Sequence, residues 1–294
     1  MDLLRLRYPQ RIALAGLLFT LPAIIFFAIF FFYPMVQAFF MSLTDWSLLR
    51  PPRFVGLANY AGLFSDAVFR RSVAVTALYV AGVCGGAIPG ALIFAVLLRS
   101  AHRLHAFFEA AYFLPTVVSL VVVSILWKFL LQRLGLVNLI LGGLGVEPLA
   151  WLASSSWSQL AMIIVTVWRF FGYFVVLFLS GLAGIPREYE EAAAIDGAAP
   201  LQVFVKVTLP LLGPVLLLTL VVGVINAVQM FVPQYVVTRG GPADSTRVLV
   251  LLIYETAFRY LRMGEAAAMS IVLLQLLVLF TIAQFRLFGR AEPL

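Results

Sequence analysis

Long stretches of this chain carry no Asp, Glu, Lys or Arg, among them residues 12–44, 72–98, 110–127, 207–238 and 266–285. A bilayer core takes about 20 apolar residues per helix. Backbone groups find no water there, so such runs must form helices or a closed barrel. Barrel strands would alternate with period 2, and these runs do not, so an all-α transmembrane chain is expected. Composition agrees. The chain is 63% hydrophobic and 11% charged, whereas a soluble domain is about a quarter charged.

The runs predict a six-span helical bundle over about 12–33, 72–98, 107–131, 158–183, 211–232 and 265–288, forming a single domain over 1–294. Pro22 is expected to kink the first span, and Pro115 lies within the third. Gly82, Gly86 and Gly90, four apart on one face of the second span, form the small-residue pattern that lets helices approach closely. Residues 34–71 and 132–157 read as polar loops. Within 233–264, the apolar stretch "RVLVLLIYETAF" is too short to span and is expected against the membrane or protein surface.

An even number of spans puts both termini on one side. Arg and Lys number nine on the terminal side and nine on the other, and the N-terminal "RLRYPQR" tips the balance to cytoplasmic termini. The first apolar run outlasts a signal-peptide core and no small-residue cleavage site follows it, so it is expected to stay. The pI of about 9.9 reflects Arg flanking membrane spans, not nucleic-acid binding. The lone Cys84 excludes an intramolecular disulfide. His102 and His105 in "HRLH" have no third metal ligand beside them, so no metal is expected.

One stretch breaks the apolar pattern: "EYEEAAAIDGAAPLQVFVKVTLP" over 188–210. Pro186 suits a helix's first turn, and Glu188, Glu190 and Glu191 lie near the positive end of the dipole. Ala192, Ala193 and Ala194 propagate the helix. Asp196 and Gly197 end it through a left-handed glycine. Pro200 restarts a second helix, with Leu201, Phe204, Val205 and Thr208 on one face and Gln202 and Lys206 on another, and Pro210 closes it. The Ala-rich helix is slender enough to enter a groove on a partner; the alternative is an ordinary interfacial turn.

The spacing Glu191-Ala192-Ala193, Gly197, Val207, Leu209-Pro210 resembles the signature loop of ATP-binding cassette importer permeases, with Val207 for Ile as its one departure. The resemblance extends over nearly the whole chain and is greatest to the carbohydrate, maltose-type branch. "FVGLANYAGLF" (54–64), "YFLP" (112–115), "GLVNLIL" (135–141), "VTRGGPADSTRVLVLLIYETAF" (237–258) and "GEAAAMS" (264–270) carry it. Glu109 departs from it, since the family often has a basic residue there.

This resemblance implies a type I importer permease architecture with a cytoplasmic coupling helix in the plasma (inner) membrane. It implies assembly with a second homologous permease, two ATPase subunits and an extracellular or periplasmic solute-binding protein, surrounded by membrane lipid and with no nucleic acid. Glu191, Ala192, Ala193, Asp196, Gly197, Leu209 and Pro210 would face the ATPase. This chain has no phosphate loop: Lys128 and Lys206 follow Trp127 and Val205 rather than glycine. It would be no enzyme and hold no cofactor, ATP and Mg being bound by the partner ATPase.

Candidate substrate contacts come from two spans. Arg169 lies within the fourth, where a charge faces a cavity or a partner; the alternative is a structural pair with a carbonyl or carboxylate. Thr166 and Tyr173 share its face. By the resemblance, counting back from Glu191, the sugar-contacting positions fall on Thr166, Arg169, Phe170 and Tyr173, with only Tyr173 keeping the residue type. In the fifth span Asn226 and Gln229, three apart, need polar partners; sugar hydroxyls would serve, as would helix–helix bonds. Ser119 and Ser124 read as packing, and Ser270 and Gln275 have either use. The expected cargo is a sugar or oligosaccharide, with glycerol phosphate or another anionic polyol as the alternative. A membrane-embedded enzyme or passive channel would leave the signature loop unexplained.

Overall fold

The computed structural model describes residues 8–47, 49–99 and 105–288. His102 lies outside these, as do Arg5 and Arg7 of the N-terminal cluster, and the side chains of His105 and Glu109 are likewise not described. Contacts divide the chain into two compact units, Met1–Leu63 with Thr256–Val272, and Phe64–Glu255 with Leu273–Leu294.

In the first unit, α1 (Tyr8–Phe27) passes through a π-helical turn at Ala28–Phe32 into α2 (Tyr33–Ser42). The apolar helix is longer than expected, Leu14–Ser42, and of its residues only Ser42 at the end is buried. Its irregularity sits before Pro34 rather than at Pro22. A proline cannot donate to the carbonyl one turn back, and a π turn absorbs the lost bond. The loop expected over 34–71 is therefore mostly helix and pairing. Strands β1 (Thr44–Asp45) and β2 (Arg53–Phe54) pair antiparallel, Thr44 opposite Phe54, and α3 (Ala58–Ser65) follows. Asn59 Nδ2 donates to the carbonyls of Ser42 (2.8 Å) and Thr44 (2.9 Å), fixing the corner where the long helix ends.

The second unit holds the functional elements. Helix α4 (Ala67–Arg99) packs along α8 (Ser155–Ala183). Gly82 faces Ile163, Gly86 faces Val167 and Gly90 faces Phe171, so the glycine row admits the four-spaced side chains of α8. Helix α12 (Gly213–Gln229) joins them. Phe174, Phe178 and Leu182 are buried against Ala87, Ala91, Val224 and Val228. A second cluster joins Tyr79, Val83, Met162 and Val165 to Trp151, Ala227 and Leu251.

The third span differs from expectation. It consists of α5 (His105–Val117) and α6 (Leu120–Leu130), meeting at 112°. The break falls at Val118 and Ser119, three residues past Pro115, because Pro115 weakens only the last turn of α5. Ser119 takes extended geometry, φ −54° and ψ 128°, and starts α6. Among the described residues five helices are long and apolar enough to cross a membrane, six if this bent pair counts as one.

Residues 132–157, expected to be a loop, contain α7 (Leu136–Gly143) and the start of α8. Asn138 organises them. Its Nδ2 donates to the carbonyls of Gln132, Arg133 and Leu149, and its Oδ1 accepts from Leu149 N and Trp151 Nε1, all within 3.3 Å.

The apolar stretch after 246 is not a surface element. In α13 (Leu249–Tyr254), Leu249, Leu251 and Leu252 are buried, with α13 packed on α4. Thr76 Oγ1 accepts from Leu249 N at 2.8 Å. Arg247 pairs with buried Glu255 (3.3 Å) and with Asp244 (3.2 Å), which fixes the loop before α13. The last helix is α14 (Met263–Phe288).

Candidate functional site

Helix α8 ends at Ala183, and Gly184, Ile185 and Pro186 lead into α9 (Arg187–Ile195). The Pro186 start and the acidic first turn match the sequence reading. The C-terminus closes as a Schellman motif: Gly197 N bonds to Ala194 O and Ala198 N to Ala193 O, both at 3.0 Å. Gly197 has φ +85°, and a Cβ built there meets nothing within 4 Å. The demand for glycine is therefore one of backbone conformation, not of space.

The second helix begins at α10 (Pro200–Val203), where Gln202 Oε1 accepts from Ala199 N at 2.9 Å. It continues through a π turn at Phe204–Thr208 into α11 (Leu209–Leu211). Two expectations change here. Pro210 lies inside the last helical turn, and the helix ends at Leu211 instead. The π turn also rotates the faces, so Thr208 is buried while Leu201 and Val205 are exposed.

What seats α9 is Glu190. Its Oε1 accepts from Arg99 Nη1 at 2.7 Å and from Thr208 Oγ1 at 2.8 Å. One carboxylate thus ties α9 to the end of α4 and to the second helix, through charge-assisted bonds. Arg99, Glu190 and Thr208 did not emerge as a unit from the sequence, because Arg99 and Glu190 stand 91 positions apart.

Glu191, Ala192, Asp196, Gly197 and Pro210 are exposed, and Ala193 and Leu209 half-buried. Tyr189 is also exposed, as is Ile195, at 86%. The outer face of α9 thus carries a smooth, partly apolar surface that this chain leaves uncovered, with the inner face locked.

The second group of candidates lies on α8 and α12. Thr166 is buried, its hydroxyl 2.6 Å from that of Tyr79. Phe170 stacks on Phe174 (centroids 5.9 Å, 22° between planes), and Tyr173 packs on the same ring at 5.7 Å. Both are half-buried. Asn226 donates to Val222 O of its own helix at 2.8 Å, and Gln229 is exposed at the end of α12. Helices α8 and α12 touch where Gly223 meets Phe174. Ser124 and Ser270 bond back to Leu120 O and Ala266 O within their helices.

Arg169 Nη1 donates to the carbonyls of Pro115 and Val118, the latter at 2.8 Å. These carbonyls lie in the last turn of α5 and at the break just past it, where acceptors are left without helical donors. Of the two uses open from sequence, this is the carbonyl-paired one.

The geometry is that of a bundle of apolar helices that locks one face of a short helix and leaves the other uncovered, and the comparisons with known proteins say which family has it. Residues 82–292 match the model of the family described as binding-protein-dependent transport system inner membrane component. The chain belongs to that family. It is a transport subunit, and ATP hydrolysis lies in a separate subunit of such importers. The lactose transport system permease protein LacF of Rhizobium radiobacter is 35% identical over 277 residues, covering 92% of each chain. The arabinooligosaccharides transport system permease protein AraP of Bacillus subtilis is 32% identical over 279 residues, covering 94% of this chain and 88% of AraP.

In structure the chain is similar to a bacterial ABC transporter involved in the import of the acidic polysaccharide alginate. The TM-score is 0.83 at 21% identity, covering 97% of this chain and 98% of that one. A bacterial alginate ABC transporter in complex with an alginate pentasaccharide-bound periplasmic protein gives 0.81 at 22% identity, covering 97% and 99%. At that identity the likeness establishes the fold, that of a type I importer permease.

Proposed function

We propose that this chain forms half of the translocation pathway of an ATP-driven importer for a sugar or oligosaccharide. Its residues 1–294 act as one permease domain beside a second, homologous permease. Two ATPase subunits, which hold ATP and Mg, receive the coupling helices on the cytoplasmic side, where the termini also lie. A solute-binding protein delivers the cargo from outside. The observation that carries this reading is α9, locked inward by Glu190 and uncovered outward. ATP-driven closure of the ATPases would draw such helices together and open the pathway outward.

The names of LacF and AraP support a carbohydrate cargo. Phe170, Tyr173, Asn226 and Gln229 are assigned to the pathway wall, with Thr166 and Arg169 behind them. The guanidinium of Arg169 is engaged with carbonyls, which favours a neutral sugar over an anionic polyol.

Two experiments test this. Gly197→Val places a β-branched residue at φ +85°, a left-handed conformation costing L-residues about 1–2 kcal/mol. Nothing clashes, so the protein stays in the membrane, while uptake by the reconstituted complex falls about tenfold. Normal uptake with normal ATPase stimulation would remove α9 as the transmission joint. Asn226→Ala and Gln229→Ala remove partners for sugar hydroxyls, worth about 1–3 kcal/mol each, so uptake drops roughly five- to a hundred-fold. Stimulation of the ATPase by loaded binding protein persists in both. Unchanged sugar uptake in both would take the amides out of the pathway.

A further inference from the structure

The bent third span is held by α8 around Arg169 to Gly172. At Val118 and Ser119 the axes of α5 and α6 diverge by 112°. The last turn of α5 there leaves carbonyls pointing away from any helical donor. In a membrane such acceptors need a protein donor, because no water replaces it. Arg169 supplies it, donating to the carbonyls of Pro115 and Val118. The bond is returned: Thr116 Oγ1 donates to Arg169 O at 3.2 Å. Three residues further on, Gly172 lies so close to the Tyr112 carbonyl that a Cβ would overlap it. Positions 169 to 172 of α8 thus hold the end of α5 by side chain and by backbone.

From that grip α8 runs unbroken to Ala183, about 21 Å of helix beyond Arg169. Gly184 to Pro186 then join it to α9. A helix of this length transmits displacement along its axis, and the Glu190 lock keeps α9 from moving independently of α4. We infer that Arg169 is a positioning residue that couples α9 to the angle of the bent span, so that movement of α9 resets the break at Val118 and Ser119. Its positive charge also suits the negative end of the α5 dipole. Both bonds come from one nitrogen, Nη1, so a Lys ammonium with its three donors can replace the contact in part.

This inference rests on the permease reading, and its test separates the two. The sample is the full complex with its second permease and ATPases in nanodiscs, with loaded binding protein. Cys84 is replaced and spin labels are placed on exposed Leu114 of α5 and Leu126 of α6. The distance between them is measured without nucleotide and with a non-hydrolysable ATP analogue. The parent complex gives one narrow distance in each state, and the two differ. Arg169→Met broadens both and lowers uptake about tenfold, as expected for losing a charged hydrogen-bond donor. ATPase stimulation falls less than uptake does. Arg169→Lys restores a narrower distribution and part of the uptake.

Should Arg169→Met fail to assemble, Thr116→Val carries the same test, removing the returned bond while leaving the guanidinium. Distances in Arg169→Met, or in Thr116→Val, as narrow as the parent's and shifting as the parent's do would overturn the inference. So would Arg169→Lys as impaired as Arg169→Met. A parent complex without binding-protein-stimulated ATPase would instead remove the permease reading itself.

Discussion

Gly172→Ala is expected to leave little assembled protein in the membrane. A Cβ at position 172 would overlap the Tyr112 carbonyl oxygen and lie 3.0 Å from Phe113 N. Both are backbone atoms at the end of α5, which cannot swing aside as a side chain does. Overpacking of a well-filled site costs about 1–3 kcal/mol, and a backbone obstacle puts this change at the top of that range. About 3 kcal/mol lowers the midpoint of thermal unfolding by roughly 6–12 °C in a unit of this size. Size-exclusion profiles and midpoints of purified protein read the effect. Gly85→Ala and Gly142→Ala serve as controls, since open space surrounds both positions. Gly82→Ala should fall between, because there the obstacle is the flexible side chain of Ile163, 2.6 Å away. A Gly172→Ala protein as stable as Gly85→Ala would mean that α5 and α8 do not touch through their backbones.

The second large effect is expected at the seat of α9. Glu190→Ala strands two donors, Arg99 and the buried Thr208. Leaving buried partners unsatisfied costs about 1–3 kcal/mol, enough to shift the seating of α9 by roughly five- to a hundred-fold. The readout is solute taken up per ATP hydrolysed, which should fall by a factor in that range while the ATPase still turns over. Glu190→Gln keeps an acceptor for both donors and loses only the charge, so its loss is smaller. The neighbouring Glu191→Gln is a demanding comparison: Glu191 begins the signature motif yet faces outward. It should weaken association with the ATPase without loosening α9 from α4. A Glu190→Ala complex with the parental ratio of uptake to hydrolysis would mean that α9 is held by something other than this carboxylate.

Much of the architecture was open to sequence reading, because lipid leaves the backbone few options. The second and sixth spans fall where uncharged runs place them, the fourth falls close to its expected bounds although Arg169 interrupts it, and Gly82, Gly86 and Gly90 meet α8 as their spacing requires. The grammar of α9 was equally plain, from Pro186 to the left-handed Gly197, since caps and turns are local chemistry. Hydropathy could not reveal the break in the third span. The residues at the break, Val118 and Ser119, are compatible with helix, and the stabilising donor, Arg169, lies on another span. The buried stretch of α13 was misplaced for a related reason: an apolar face looks the same whether it meets lipid or α4. The Glu190 seat combines partners from distant positions, and no periodicity relates Arg99 to Thr208. What stayed hidden was wherever one backbone's unmet valence is answered by a side chain from elsewhere.

Asn138 shows a further effect of such an arrangement. One side chain makes five hydrogen bonds to Gln132, Arg133, Leu149 and Trp151, so both sides of the segment between α6 and α8 depend on it. Hydrogen exchange reports local opening at the free energy of the smallest cooperative unit that must come apart. The amide of Leu149 cannot reach solvent by fraying alone, because freeing it also loosens the Trp151 indole and both carbonyls after α6. This corner should therefore exchange as a single slow unit set among faster neighbours, giving the turn the kinetics of a helix interior.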